Sequence, residues 1–282
     1  MKGSRLNYLG GKYLAGISIG DLIRKWRSIR KCSQLDLALA IDVSPKHMSF
    51  VESGRSNPSR QLVRKIAAAL EVPYRHRNSM LVAAGYAPEI KAEPLSGATM
   101  TAVREGLTRL IANHAPYPAV VINAEYDILL RNGGFDAIVR HFAGPEIAAH
   151  DNLLRIMCGA GALHERIVGW HTIRSALAGR VRQECVLTQS PRLQELADEL
   201  FPTDAHTGPH TPSEIGLLPF LAVTLELGSA HASFFTAVTA LGAPLDPTTQ
   251  ELRIELFFAA DEQTKQLIAT LAEDTDLHAV FP

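Results

Sequence analysis

The fold of the N-terminal part is decided by the stretch Gly20–Pro73, GDLIRKWRSIRKCSQLDLALAIDVSPKHMSFVESGRSNPSRQLVRKIAAALEVP. Apolar residues recur in it at three- and four-residue spacing, which is typical of short amphipathic helices. Ser44 is a good N-cap and Pro45 suits the first helical position, so a helix is predicted to begin there. A turn at Asp42-Val43 precedes it. Two short helices joined in this way are typical of a helix-turn-helix, whose second helix can enter the major groove of DNA.

Five helices are predicted for this all-α part, and serines mark several of their starts. Ser33 is followed three residues later by Asp36, which is the spacing of a capping box. The glycines Gly54 and Gly85 are placed to end helices, because glycine accepts the left-handed conformation there. The first predicted helix spans Ile19–Lys31 and the fifth spans Tyr74–Ala84. The second begins after the cap Ser33, the third begins at Pro45, and the fourth begins at Pro58-Ser59.

Charge is divided unevenly along the chain, although the formal net charge of all 282 residues is only −1 at pH 7. Residues 1–91 carry 16 lysines and arginines against 6 acids, whereas residues 92–282 carry 12 against 23. A cationic N-terminal part followed by an anionic C-terminal part indicates that only the N-terminal part binds a polyanion. Double-stranded DNA is the polyanion expected for a helix-turn-helix. The alternative is an ordinary helical bundle with a solvated basic face.

The outward side chains of the helix that begins at Pro45 are the candidates for contacts with base edges. A lysine such as Lys46 can donate to guanine acceptors, and the ring of Phe50 can contact a thymine methyl group. Gln34 and the loop Gly54–Asn57 would flank the groove and contact phosphates, where backbone N–H groups at helix starts also attract anions. The DNA-binding candidates are Gln34, Ser44, Pro45, Lys46, His47, Ser49, Phe50, Arg55 and Asn57.

The segment Val43–Pro88, VSPKHMSFVESGRSNPSRQLVRKIAAALEVPYRHRNSMLVAAGYAP, resembles the XRE (lambda-repressor-like) helix-turn-helix family. It is most similar to the branch that carries a C-terminal MmyB-like domain. The resemblance implies an ion pair between Arg27 and Glu52 that ties the first helix to the third. Relatives often have glycine at the turn position of Asp42, and Asp tolerates the left-handed conformation better than most residues. The matching residues are Ser44, His47, Met48, Ser49, Glu52, Gly54, Arg55, Pro58, Ser59, Arg77, Leu81 and Ala83–Pro88.

The stretch Ala87–Gly97 contains two prolines, two glutamates and a glycine, which is typical of a linker. A linker at residues 89–98 is therefore predicted to separate a domain of residues 1–88 from a domain of residues 99–282. The second domain is predicted to begin with a helix over Thr99–His114. Two strands, a helical middle part and three further strands follow, so an α+β domain with a five-stranded antiparallel sheet and helices over one face is expected. The predicted strands are Ala119–Asn123, Tyr126–Arg131, Leu218–Leu227, His231–Leu241 and Gln250–Phe258.

The C-terminal half resembles the MmyB-like ligand-binding domain, which has a PAS-like fold. The similarity is carried by NLLRIMCGAGALHERIVGW, which ends at Trp170, and by SFFTAVTALGAPLDPTTQELRIELFFAADEQT, which begins at Ser233. Where relatives tend to show Trp-Asn, this chain has Arg131-Asn132, so only the asparagine is kept. The resemblance implies that the domain binds a fatty-acid-like molecule inside a cup formed by the sheet and the helices.

The sequence offers an apolar lining for such a cup. Each methylene group of a buried acyl chain contributes about 0.8 kcal/mol, so a long chain needs few specific contacts. The lining candidates are Val120, Ile122, Ile128, Leu130, Phe135, Ile138, Phe142, Met157 and Trp170. The candidates for donors to a carboxylate head group are Asn132, Arg131, His171 and Arg174. The alternative is a solid apolar core with solvated arginines.

Several kinds of site are not expected. The cysteines Cys32, Cys158 and Cys185 lie far apart and form no CxxC pair, which argues against a disulfide framework or a zinc ribbon. His206 and His210 are separated by Gly208 and Pro209 in a predicted loop, so no metal site is assigned to them. No catalytic or phosphate-binding motif is present, and no cofactor is assigned. No apolar run is long enough to span a membrane, so a cytoplasmic protein is expected.

The sequence therefore predicts a transcription regulator that binds DNA as a homodimer and whose second domain holds a hydrophobic small molecule, expected to be a long-chain fatty acid. Two other functions stay open at this stage. In one, the protein binds DNA constitutively and its second domain only dimerises. In the other, the second domain is an enzyme acting on acyl or aromatic substrates, although no catalytic set of residues supports that function.

Overall fold

The computed structural model describes residues 18–89, 93–202, 222–242, 247–274 and 276–281. These residues form two compact units: the first holds the described residues up to Glu89, and the second holds nearly all of those from Glu93 onward. Leu95, which belongs to the predicted linker, is buried in the core of the second unit. Residues 218–221 of a predicted strand and the histidines His206 and His210 lie outside the described residues.

The first unit is all-α, as predicted. Four of its helices start at serine N-caps whose Oγ atoms accept a backbone N–H, and the capping box at Ser33 and Asp36 is confirmed. Asp42 has φ = 56°, so the turn before the third helix has the expected left-handed residue. The helices are α1 (Ile19–Ile29), α2 (Gln34–Ala40), α3 (Pro45–Glu52), α4 (Arg60–Ala69) and α5 (Tyr74–Ala83).

These short helices are held together by one apolar core. Trp26 of α1, Met48 and Val51 of α3, and Ile66 of α4 are each 2% exposed or less. Helices of 7 to 11 residues are marginal on their own in water, so burial of these apolar faces supplies most of their stability. Since Met48 and Val51 anchor the inner face of α3, the opposite face of that helix points outward.

The second unit is built on an antiparallel sheet in which six strands are described, one more than predicted. The additional strand is only two residues long, which is too short to produce a periodic signal in the sequence. The residues around Gln250 are helical instead of forming the start of a strand. The strands are β1 (Ala119–Ile122), β2 (Ile128–Asn132), β3 (Ala222–Leu227), β4 (Ala230–Thr239), β5 (Arg253–Ala259) and β6 (Val280–Phe281), in the order β3-β4-β5-β1-β2-β6.

Helices cover both faces of this sheet, so the expectation that they lie over one face is wrong. Leu107 and Ile111 pack on the face formed by β1, β2 and β6, together with Val121 and Leu130. Helices α7 to α11 and α13 contribute to the core on the opposite face. The helices are α6 (Thr101–His114, after a short 3-10 turn at Ala98–Met100), α7 (Gly133–Ala143), α8 (Pro145–Ala148), α9 (Leu153–Cys158), α10 (Trp170–Thr188), α11 (Pro191–Leu200), α12 (Pro247–Glu251) and α13 (Glu262–Asp274).

A β-bulge in β2 changes which side of the sheet its residues face. Ile122 pairs with Ile128, whereas Val121 pairs with Leu130, so Leu129 is an extra residue in the register. Ile128 therefore joins the core under α7 to α11, and Leu130 joins the core under α6. Strict alternation would have placed Ile128 and Leu130 on the same face.

Candidate functional site

Helix α3 presents its polar side chains to solvent. Ser44 accepts the backbone N–H of His47 at 3.1 Å, and Pro45 occupies the first helical position. Lys46 and Ser49 are exposed, as are Ser44 and Pro45, whereas His47 is half-buried. A rigidly capped helix with an outward polar face is the arrangement that can enter a DNA groove.

A cluster of two cations and one ring lies on the outer face of this helix. The Nζ atom of Lys46 is 5.7 Å and the guanidinium carbon of Arg55 is 5.8 Å from the centroid of the Phe50 ring. Neither cation has a carboxylate partner in the part of the chain that the structure describes. By contrast, Arg64 of α4 is paired with Glu89 at 2.7 Å. The outer face of α3 therefore carries positive charge that is not neutralised locally.

The ion pair implied by the family resemblance is present and holds α3 in place. The Nε and Nη2 atoms of Arg27 donate to the Glu52 carboxylate at 2.7 and 3.1 Å, and the side chain of Glu52 is 4% exposed. This hydrogen bonding raises the pKa of Arg27. Arg24 also donates to the backbone oxygen of Glu52 at 2.5 Å. Glu52 thus links α1 to the end of α3 through a buried carboxylate.

Two predicted phosphate contacts are engaged inside the protein. The amide nitrogen of Gln34 donates to the Glu52 carboxylate at 2.8 Å, so this side chain completes the ion-pair network. The amide nitrogen of Asn57 donates to the backbone oxygen of Ala84 at 3.2 Å, which ties the loop after α3 to the end of α5. Arg55, in the same loop, remains exposed. One N–H of each amide is therefore held within the protein, whereas the guanidinium group of Arg55 makes no hydrogen bond to another of the described residues.

Most of the predicted cup residues meet in one core of the second unit. They lie between the sheet and the helices α7 to α11, where Met157 and Trp170 are half-buried at its margin. Leu130 does not join them, because the bulge at Leu129 turns it to the α6 face. The predicted residues in this core are Val120, Ile122, Ile128, Phe135, Ile138 and Phe142.

Asn132 has a structural role that the sequence did not reveal. Its side-chain oxygen accepts the backbone N–H groups of Ala119 and Phe135 at 2.9 and 3.0 Å. Its side-chain nitrogen donates to the backbone oxygens of Ile111 and Tyr117 at 3.1 and 2.9 Å. The residue is completely buried, and each of its two polar atoms makes two hydrogen bonds to the backbone. The expectation that Asn132 binds a ligand head group is therefore wrong.

The other predicted head-group donors differ in their placement. Arg131 donates to the backbone oxygens of Ala148 and His150 and lies 3.1 Å from Asp136, so its guanidinium group is already engaged. His171 is exposed on α10. Arg174 is half-buried, with its guanidinium carbon 5.9 Å from the centroid of the Phe201 ring, and it is therefore the predicted donor that borders the apolar core.

Arg174 also lies near a buried thiol. Burial raises the pKa of Cys158 to about 12, and the charge of Arg174 acts in the opposite direction. The sulfur is therefore protonated at neutral pH and packs against the core as a small apolar group.

A network of charged side chains borders the apolar core between the sheet and α7 to α11. None of these charged residues was among the predicted site residues. Glu255 of β5 lies 3.3 Å from Arg180 of α10, and Arg253 of β5 donates to Glu184 of α10. Burial raises the pKa of Glu255. Arg253 and Glu255 alternate with apolar residues in β5. This pattern predicts that both lie on one face of the strand, but it does not predict that α10 covers that face.

Neither a membrane-spanning helix nor a metal site is indicated by the described residues. Among them, no helix is both long enough and apolar enough to cross a bilayer. The same residues contain no group of three or more histidine, cysteine, aspartate or glutamate side chains that could hold a metal ion.

Comparison with known protein families identifies both units. Residues 23–76 match a helix-turn-helix family model, and residues 103–271 match the model of the MmyB-like transcription regulator ligand binding domain. The second match covers more than half of the chain. The chain belongs to the MmyB-like transcription regulators. The resemblance to this family is therefore confirmed, and the two units are called the helix-turn-helix unit and the ligand-binding domain below.

Curated relatives match short stretches of the chain. An uncharacterized HTH-type transcriptional regulator of Archaeoglobus fulgidus is 45% identical over 51 residues, 18% of this chain and 22% of that protein. Multiprotein-bridging factor 1 of Candida albicans is 34% identical over 62 residues, 22% of this chain and 41% of that protein. The matched part thus spans less than half the length of either relative.

One solved structure, titled "Structure of an RNA-binding Light-Oxygen-Voltage Receptor", is similar at 14% identity with a TM-score of 0.26. The match covers 92% of this chain and 64% of that one.

Proposed function

We propose that this MmyB-like regulator binds specific double-stranded DNA through α3 as a homodimer. The observation that carries this proposal is the outer face of α3, where Lys46 and Arg55 flank Phe50 and neither has a carboxylate partner among the described residues. The Arg27–Glu52 pair fixes the helix that presents them. The exposure of Lys46 and Ser49 on α3 itself supports base-edge contacts for them, and the exposure of Arg55 in the following loop supports a phosphate contact.

Lys46→Ala and Arg55→Ala separate these two roles. A binding site is first selected from a random pool of duplex oligonucleotides with the full-length protein, and affinities for this site and for competitor DNA are then measured by fluorescence anisotropy. Loss of a base contact from Lys46 should weaken the selected site by about tenfold or more and leave competitor DNA less affected. Loss of a phosphate contact from Arg55 should weaken binding to both DNAs alike. It should also reduce the slope of log affinity against log salt concentration by about one.

Lys65→Ala is the matched control, because Lys65 is an exposed lysine on a different helix, α4. It should leave the preference for the selected site unchanged. If no oligonucleotide is enriched over competitor, or if Lys65→Ala changes the preference as much as Lys46→Ala, the assignment of α3 as the base-reading helix is wrong.

We further propose that the ligand-binding domain holds a hydrophobic small molecule, with a long-chain fatty acid as the leading candidate, and that the protein regulates transcription rather than catalysing a reaction. Support comes from the apolar core between the sheet and α7 to α11 and from Arg174 at its border. A fatty acid can change DNA binding only if it binds one arrangement of the protein better than another.

Native mass spectrometry of the purified protein tests this ligand. A co-purified lipid, and a selected-site affinity that changes when palmitate is added, would support sensing. An empty protein whose DNA affinity is the same with and without palmitate would favour a constitutive regulator whose second domain only dimerises. Arg174→Gln should weaken palmitate binding, whereas Arg192→Gln, which changes an exposed arginine on α11, should not.

A further inference from the structure

An apolar groove of about 320 Å³ opens on the flank of α6 in the ligand-binding domain. Ala102, Gly106 and Leu110 form its wall on α6, and residues at the end of β4 and in β5, including Leu241 and Ile254, form its floor. The groove lies on the sheet face opposite the core that holds the predicted ligand residues, because Ile254 belongs to the α6 core. This surface is therefore separate from the proposed fatty-acid site.

The side of α6 that borders the groove is not covered by the described part of the domain. Leu110 is 40% exposed, although it is a large apolar residue, and Ala102 and Gly106 are exposed beside it. A Cβ atom built on Gly106 would meet nothing within 4 Å. These three residues follow each other at four-residue spacing, so they form one continuous apolar edge with a notch at Gly106.

A charged edge runs beside this apolar edge. Glu105 and Arg109 are both exposed on α6, and neither forms an ion pair with another described residue. Suppose that two copies of α6 pack antiparallel about a two-fold axis that is perpendicular to the helices at the level of Leu107. Glu105 of each copy then lies opposite Arg109 of the other copy. The helix rises about 1.5 Å per residue, so the two pairs would sit about 3 Å on either side of the axis. Two copies of this charged edge, each made of Glu105 and Arg109, therefore place opposite charges next to each other when the helices run antiparallel.

We propose that this groove binds α6 of a second copy of the same chain. The two helices pack antiparallel, Leu110 of each copy inserts beside Ala102 and Gly106 of the other, and two Glu105–Arg109 pairs flank the apolar contact. Such an arrangement uses the same surface twice, as a two-fold dimer requires. The inference rests on the homodimer of the proposed function and identifies the surface that forms it.

Charge exchange tests the register of this dimer. The oligomeric state of the full-length protein is measured by sedimentation velocity from about 0.1 to 50 µM, a range that brackets micromolar dissociation constants. Glu105→Arg and Arg109→Glu each place like charges opposite one another twice, so each should raise the dimer dissociation constant by about tenfold. The double variant Glu105→Arg/Arg109→Glu restores opposite charges in both pairs and should recover most of that loss.

Packing variants with matched controls test the apolar contact. Gly106→Leu fills the notch, and the open space around Gly106 shows that a single copy can accommodate it. It should weaken the dimer by about tenfold or more, whereas Gly179→Leu should not, since Gly179 is also an exposed helical glycine with nothing within 4 Å. Leu110→Asp should have a similar effect, and Val186→Asp, at an exposed apolar residue of α10, should have none.

The outcomes distinguish this inference from the proposed function. A wild-type protein that is monomeric throughout the concentration range overturns both the groove and the homodimer, while DNA selection with the same sample still tests α3. A dimer that none of the α6 variants weakens, or a double charge variant without recovery, overturns the groove and leaves the homodimer to another surface. Occupation of the groove by a segment of the same chain would appear as a monomer.

Discussion

Replacement of Glu52 by alanine should destabilise the helix-turn-helix unit more than any loss of a surface charge. The Glu52 carboxylate accepts three hydrogen bonds, two from Arg27 and one from Gln34. Its side chain is 4% exposed and that of Arg27 is 17% exposed. Without Glu52, the guanidinium group of Arg27 keeps only its bond to the backbone oxygen of Cys32 and has no counter-charge.

The expected cost follows from this geometry. Removal of one partner of a buried ion pair costs about 3–5 kcal/mol, and the partial exposure of Arg27 places this case near the lower limit, at about 3 kcal/mol. For a unit of this size the dependence of the unfolding free energy on urea is about 1 kcal/mol per molar. The urea midpoint of the helix-turn-helix unit should therefore fall by about 3 M.

Urea unfolding followed by Trp26 fluorescence measures this loss. Trp26 is buried in the helix-turn-helix unit, and a Trp170→Phe background removes the only other tryptophan. Arg64→Ala is the control, since it breaks an exposed pair on α4 and should shift the midpoint far less. Arg27→Met combined with Glu52→Leu should recover much of the stability, because neither charge then remains buried. Equal midpoints for Glu52→Ala and Arg64→Ala would refute the argument from burial.

Three further predictions concern the ligand-binding domain. Asn132→Ala removes the hydrogen bonds of three buried backbone groups and one partly buried one, at about 1–3 kcal/mol for each buried group, so the thermal unfolding temperature of this domain should fall sharply. Asn132→Asp should be no better, since its carboxylate would face two carbonyl oxygens. Alkylation of Cys158 by iodoacetamide at pH 8, read by peptide mass spectrometry, should be about 1000-fold slower in the folded protein than in urea, because burial raises its pKa to about 12. The folded-state pKa of Glu255 is raised, so its contribution to stability is present at low pH and lost as pH rises. The stability of Glu255→Gln relative to wild type should therefore increase between pH 4 and pH 8, and a pH-independent difference would contradict this.

The helix-turn-helix unit was largely predictable because its signals are local. Serine caps, Pro45 at a first helical position and Asp42 in the turn each act within a few residues, and the structure contains all of them. The network around Glu52 was less accessible, because the contact of Gln34 spans 18 residues of sequence. Such a contact depends on how α2 approaches α3, which local patterns do not specify.

The ligand-binding domain shows where sequence patterns fail. The periodicity of apolar residues predicted β1 and β2. The extra residue Leu129, however, places Leu130 on the sheet face under α6 and not on the face of Ile128. The charged face of β5 gave no indication that α10 would cover Arg253 and Glu255. Asn132 resembled a ligand contact in sequence and is a buried cap for α7 in the structure. In each case the role depends on a neighbouring element that is distant in sequence.

The hydrogen bond from Asn132 to Ile111 also limits how α6 can move. It holds the last turn of the helix to β1 and α7, whereas the end at Thr101 has no such attachment to that asparagine. A tilt of α6 would consequently pivot near Ile111, and displacement would grow towards Thr101, about 15 Å away along the axis. A rotation of about 10° about Ile111 would therefore displace Thr101 by roughly 2–3 Å while the bond from Asn132 to Ile111 is kept.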